Sequence, residues 1–259
     1  MKNLLSASYC SMTAFLVLGL VFFSLACNNK PHPLSEDQAT KIIARAKKIL
    51  PQMSGTDTNV HRLIYEALDQ MVVTEMDSSS KFILDRDHRF FFLIVSPSSI
   101  SATKDTIGAN LMIFYPPLYQ QQNKIVVVVN RDLNALCRDP DIIATSLIHE
   151  LIHGIQTSNL INHGISMDLA MSNQTLFFQD EIQAWNIQLD LYRKLHPDLF
   201  KGPRCDCRTA KFSNLKTKEQ LDLLASHTGD RMVRTLVCYA QCGEPFLRIL
   251  YAPVRTNYR

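Results

Sequence analysis

The chain has little net charge. Its 27 Lys and Arg nearly cancel 24 Asp and Glu, leaving +3 over 259 residues. That surplus is small and dispersed, so nothing argues for a nucleic-acid partner. Internal repeats and low-complexity segments are also lacking, which excludes a solenoid or a tract of biased composition. Nor is there a comfortable membrane span near the N-terminus. The apolar run from Phe15 to Ala26 is broken by Gly19 and Ser24. It falls short of the ~20 residues that cross a bilayer. Tryptophan occurs once, at Trp185.

What is there begins with that same run. Met1-Lys2 is a minimal basic start, the apolar stretch follows, and a small residue precedes Cys27. Residues 1–27 therefore read as a leader rather than as fold. Ser24-Leu25-Ala26-Cys27 resembles a bacterial lipoprotein lipobox, with Leu two places before the Cys rather than the usual three. The resemblance implies a lipid on Cys27, a membrane anchor through it, and a domain in the bacterial cell envelope outside the cytoplasm. An ordinary secretory signal or an uncleaved anchor would give the same side of the membrane. Residues 28–34 turn polar and read as a tether. Residues 35–259 have the length of one α+β domain, or of a domain with a helical annex from about 196 onward.

The central feature is Leu147-Ile148-His149-Glu150-Leu151-Ile152-His153-Gly154. At 3.6 residues per turn, His149 and His153 stand one turn apart on the same helix face. Two imidazoles so placed can hold a zinc ion, with Glu150 beside the open coordination position. Ala144, Leu147, Ile148, Leu151, Ile152 and Ile155 form a broad apolar arc, and His149, His153 and Gln156 lie opposite. Such a helix is buried, and a buried carboxylate needs a partner. Asp139 and Pro140 mark its start.

Catalytic zinc takes three protein ligands. A metzincin would need His at 159, where this chain has Asn159. His163 falls in a Gly-containing loop, and nothing around Asp168 supports it as a ligand. Glu181 is the best candidate, in a second helical pattern from about Gln174 to Lys194. Here the residues reach a resemblance. His149-Glu150-x-x-His153, followed 28 positions later by Glu181-x-x-Ala184, resembles the zincin metallopeptidases of the gluzincin group. The resemblance covers roughly residues 120–195. It implies one zinc ion held by His149, His153 and Glu181, with Glu150 as general base in peptide-bond hydrolysis. It further implies a small sheet packed on the zinc helix, with a strand edge against which a peptide or protein substrate lies. Lys124–Asn130, short and β-branched, is the strand before the motif. The other role for this chain is a non-catalytic envelope lipoprotein that keeps a zincin-like scaffold.

Five cysteines follow the leader. In an oxidising compartment, Cys205 and Cys207 are expected to pair with Cys238 and Cys242, in either combination; a second zinc site is the alternative. Cys137 is left as a small buried thiol. An oxyanion stabiliser is sought among His227, Arg231, Arg234 and Tyr239, without a choice between them.

The remaining pattern gives helices at Ser35–Leu50 and Val60–Met71, strands at Lys81–Leu84, Phe90–Val95, Leu111–Tyr115 and Lys124–Asn130, and helices at Asp141–Gln156, Gln174–Lys194, Lys216–Ser226 and Gly229–Gln241. Helices, a small mixed sheet, then helices is an α+β order. Phe90–Val95 reads as a core strand and Trp185 as packing between the two ligand helices.

Overall fold

Ser35 starts the first helix as the sequence suggests. Its side chain accepts from the Gln38 amide while Gln38 reaches back to the Ser35 amide, and α1 runs from Glu36 to Ile49 before Pro51 ends it. The computed structural model describes residues 33–53, 58–76, 84–96, 112–116, 119, 122–137, 139–201, 204–208, 211–213 and 231–250. The leader, Cys27, most of the tether, residues 81–83 of one expected strand and the helix expected at 216–226 lie outside these residues. Leu34, at the end of the expected tether, is buried, and its amide donates to the Arg131 carbonyl at 2.8 Å.

Helix α2 follows at Thr58–Asp69, and strand β1 at Val72–Met76. The sequence reading carried the helix on to Met71 and missed β1, because only two residues separate helix from strand. The sheet is completed by β2 (Phe90–Val95), β3 (Met112–Phe114) and β4 (Ile125–Asn130). Its order is β1-β2-β4-β3, with β1, β2 and β4 parallel and β3 antiparallel at one edge. The fold is thus α+β with a mixed sheet.

Strands β2 and β4 are buried along their whole length, which explains their continuous apolar sequences. Phe90, Phe92, Ile94, Ile125, Val127 and Val129 join the main core with the helices, while Phe91, Leu93, Val95, Val126 and Val128 join a smaller one with Met76 and Leu84. Each such side chain contributes about 1.5–3 kcal/mol by leaving water. Because β4 lies between β2 and β3, it is not an edge. The strand expected to meet a substrate therefore has both sides occupied; among the described residues the edges are β1 and β3, and β3 is the one beside β4.

After the short helix α3 (Leu133–Leu136) comes α4, Pro140–Asn162, capped by Asp139, whose carboxylate accepts from the Asp141 and Ile142 amides. It runs six residues past the expected Gln156, since no breaker intervenes before Gly164, whose φ is +84°. Helices α5 (Met167–Ser172) and α6 (Gln174–Leu195) follow. The C-terminal part is less purely helical than its sequence suggests. A 3-10 turn at Pro197–Phe200 and a hairpin of β5 (Arg204–Asp206) and β6 (Lys211–Ser213) precede α7 (Arg231–Cys242) and α8 (Glu244–Leu250). Disulfides Cys205–Cys238 and Cys207–Cys242 join the hairpin to α7, resolving the pairing. Cys137 is buried, its thiol against the Asp139 carbonyl. Among the described residues no helix is long and apolar enough to cross a membrane.

One glycine sets how closely α4 approaches the sheet. A Cβ on Gly154 would stand 2.5 Å from Ile125 Cγ2 and 3.3 Å from the Phe114 ring. Ile125 is β-branched and fully buried, so it cannot swing aside. Overpacking of this kind costs ~1–3 kcal/mol, and the better helix propensity of alanine returns at most ~1. Gly154→Ala should therefore lower the urea midpoint at unchanged slope, for a net loss of up to ~2 kcal/mol of stability. A midpoint at or above wild type would count against so close a contact.

Candidate metal centre

The site is made by two antiparallel helices. Partners fall in number along α6 as they rise along α4: the Asp139 carboxylate accepts from the Tyr192 hydroxyl at 2.6 Å, Ser146 Oγ from Gln188 Nε2 at 2.9 Å, and Asp180 pairs with His153. Ala184, three residues after Glu181, is fully buried, so nothing larger than a methyl stands at that point of α6. This register brings Glu181 from α6 to the two histidines of α4.

His149 Nε2 lies 3.7 Å from Glu181 Oε2, and His153 Nε2 lies 3.8 Å from Glu181 Oε1. These separations are too long for hydrogen bonds. They suit ligands sharing one ion, since donors ~2.0–2.2 Å from zinc at tetrahedral angles stand roughly 3.3–3.6 Å apart. Among the described residues, His149, His153 and Glu181 form a group whose ligand atoms all lie within 4.8 Å of one another. The side chains of His149, His153 and Glu181 are 7%, 12% and 10% exposed, so water screens them little.

The surrounding charge also fits a cation. Burial pulls the His153 pKa down, but Asp180 and Glu181, the hydrogen bond to Asp180, and Glu150 outweigh it and raise it to about 10. Three carboxylates thus surround two imidazoles, and a divalent ion would offset the excess negative charge. Asp180 does more than add charge. Its Oδ2 accepts from His153 Nδ1 at 2.8 Å, which turns Nε2 toward Glu181. The sequence reading passed over Asp180; the signal was a second carboxylate beside the expected ligand, but only the helix register shows which histidine it meets.

Glu150 stands beside the triad rather than in it. Its Oε2 accepts the backbone amide of Phe114, on edge strand β3, at 2.7 Å. Burial raises its pKa, against the lowering pull of His153, His149 and the Phe114 amide, with Glu181 adding to the rise. No side-chain pattern could have signalled this amide, because the donor is main chain.

The other candidates are spread out. His163 is exposed at the end of α4 and donates from Nδ1 to the Asn159 carbonyl. Asp168 falls in α5, with its side chain outside the described residues. Of the four oxyanion candidates, Arg234 is exposed on α7, while His227 and the Arg231 side chain lie outside the described residues. Tyr239 is buried, its ring 5.6 Å from Trp185 and its hydroxyl donating to Asn186 Oδ1 at 2.8 Å. Burial, with Glu244 adding to it, pushes its pKa up to about 12.

A second group, Asp139, Asp141 and His196, also has converging ligand atoms. Its carboxylates already have protein partners: Asp141 pairs with Arg45 at 2.6 Å and meets His196 at 3.0 Å, and Asp139 accepts from the Tyr192 hydroxyl. It reads as a clamp on the start of α4. Comparison of the chain with family models, with curated proteins and with solved structures gives no match.

Proposed function

We propose that the protein is a zinc metallopeptidase of gluzincin type, acting outside the cytoplasm and anchored through a lipid on Cys27. The observation that carries this reading is the convergence of His149, His153 and Glu181 from two helices, with Glu150 next to them on the motif helix. The first three side chains would hold the ion. A bound zinc ion lowers the pKa of a coordinated water towards ~7 and polarises a carbonyl oxygen. Glu150 accepts the water's proton as general base and returns it to the leaving amine. Asp180 keeps His153 turned for its task. The open edge of β3, whose amide reaches Glu150, is where an extended peptide would lie. Two disulfides suit an oxidising compartment and so support the address.

Elemental analysis of the purified chain should find one zinc per molecule. Peptide hydrolysis should stop on chelation and return with added zinc. A well-folded protein that takes up no zinc would instead favour a non-catalytic envelope lipoprotein on the same scaffold.

A further inference from the structure

Glu181 can meet an ion only if its carboxylate is held in one rotation. The last torsion of a glutamate is soft. A hydrogen bond from the next turn of the helix restrains it here. Trp185, a single turn further along α6, donates from Nε1 to Glu181 Oε2 at 3.1 Å, and its indole is 3% exposed. With that bond in place, Oε2 faces His149 and Oε1 faces His153.

The indole is itself fixed from two sides. Its ring meets His149 edge-on, centroids 5.2 Å apart and planes at 85°. Tyr239 lies on another side at 5.6 Å, with its hydroxyl on Asn186. Tyr239 follows Cys238, which the disulfide to Cys205 ties to the β5–β6 hairpin. The donor therefore has a rigid backing, and a buried indole N–H needs an acceptor.

We infer that Trp185 is a positioning residue for the metal centre: its indole N–H orients the Glu181 carboxylate toward His149 and His153 and so raises metal affinity. The inference rests on the reading of this triad as a metal site. It separates cleanly from simple packing, because phenylalanine fills much of the same space but carries no N–H. As the one tryptophan of the chain, Trp185 also reports on the site, since metal binding at its hydrogen-bond partner perturbs its emission.

The test uses the metal-stripped chain as wild type and as Trp185→Phe, titrated with zinc against a competing chelator, with melting temperatures of both metal-free forms. The wild type should bind one zinc, with tryptophan emission changing up to one equivalent and then staying flat. Trp185→Phe should bind ~10–100-fold more weakly, the range for loss of a group supporting a metal ligand, while its metal-free melting temperature stays near wild type. An affinity equal to wild type overturns the inference and leaves the metal site standing. Loss of affinity together with melting temperature assigns the residue to packing and also overturns it. Should the variant not fold, the wild-type titration decides: emission unmoved through one equivalent of bound zinc overturns the role. Absence of zinc binding in the wild type removes the metal-centre reading itself and this inference with it.

Discussion

Glu150→Gln is expected to abolish peptide hydrolysis with zinc still bound, kcat falling by ~10²–10⁴, the usual contribution of a positioned general base. The reasoning rests on where Glu150 stands. It lies outside the triad of His149, His153 and Glu181, so its loss removes no proposed ligand. A glutamine has the same shape, and its carbonyl oxygen can still accept the Phe114 amide that Glu150 Oε2 takes at 2.7 Å. The substitution also removes a partly buried carboxylate, whose desolvation raises its pKa. Fold and metal should therefore survive while the proton acceptor is gone. Zinc content and kcat measured on one preparation separate the two. Full activity in this variant would sink the role of Glu150, and loss of zinc along with activity would put Glu150 among the ligands.

The second large effect concerns the C-terminal staples. Cys205–Cys238 and Cys207–Cys242 close loops with sequence separations of 33 and 35 residues. In the chain-entropy account, opening a loop of this size costs about 3–4 kcal/mol, a large share of the ~5–15 kcal/mol that holds a typical domain together. The loops overlap, so the second bridge adds less than the first. Cys207→Ser with Cys242→Ser, which leaves the other bridge in place, should give the smaller fall in urea midpoint. Removing all four thiols should give the full fall. The wider loss should reach the candidate metal centre too, because Tyr239 of α7 packs on Trp185 and Trp185 donates to Glu181. A four-serine variant with the wild-type midpoint would mean that α7 docks through its apolar contacts alone.

Much of this was legible in the sequence because the signals are local. Asp139-Pro140 announces the start of α4, Ser35 that of α1, and unbroken apolar runs announce β2 and β4. Two members of the triad were legible because the i, i+4 spacing of His149 and His153 is itself a geometry, whereas Glu181 rested on the resemblance. What stayed hidden depends on how elements meet. That β3 rather than β4 forms an edge follows from strand order, which no stretch of β4 records. Asp180 needed the helix register, and the Phe114 amide has no side-chain signature at all. Helix α4 extends past Gln156 to Asn162 because polar residues alone do not stop a helix and Gly164 is the first breaker beyond it.

The Phe114–Glu150 contact bears on how the protein stays apart from its own copies. An open strand edge invites pairing with another chain and, through it, aggregation. Here the edge strand is three residues long, and its outward amide at Phe114 is engaged by a carboxylate of the same molecule. A second copy approaching β3 finds that donor taken and a negative charge beside it. Any extended chain that settles on this edge must compete with Glu150 for the Phe114 amide, so the residue proposed for proton transfer also occupies a donor that a second strand would need.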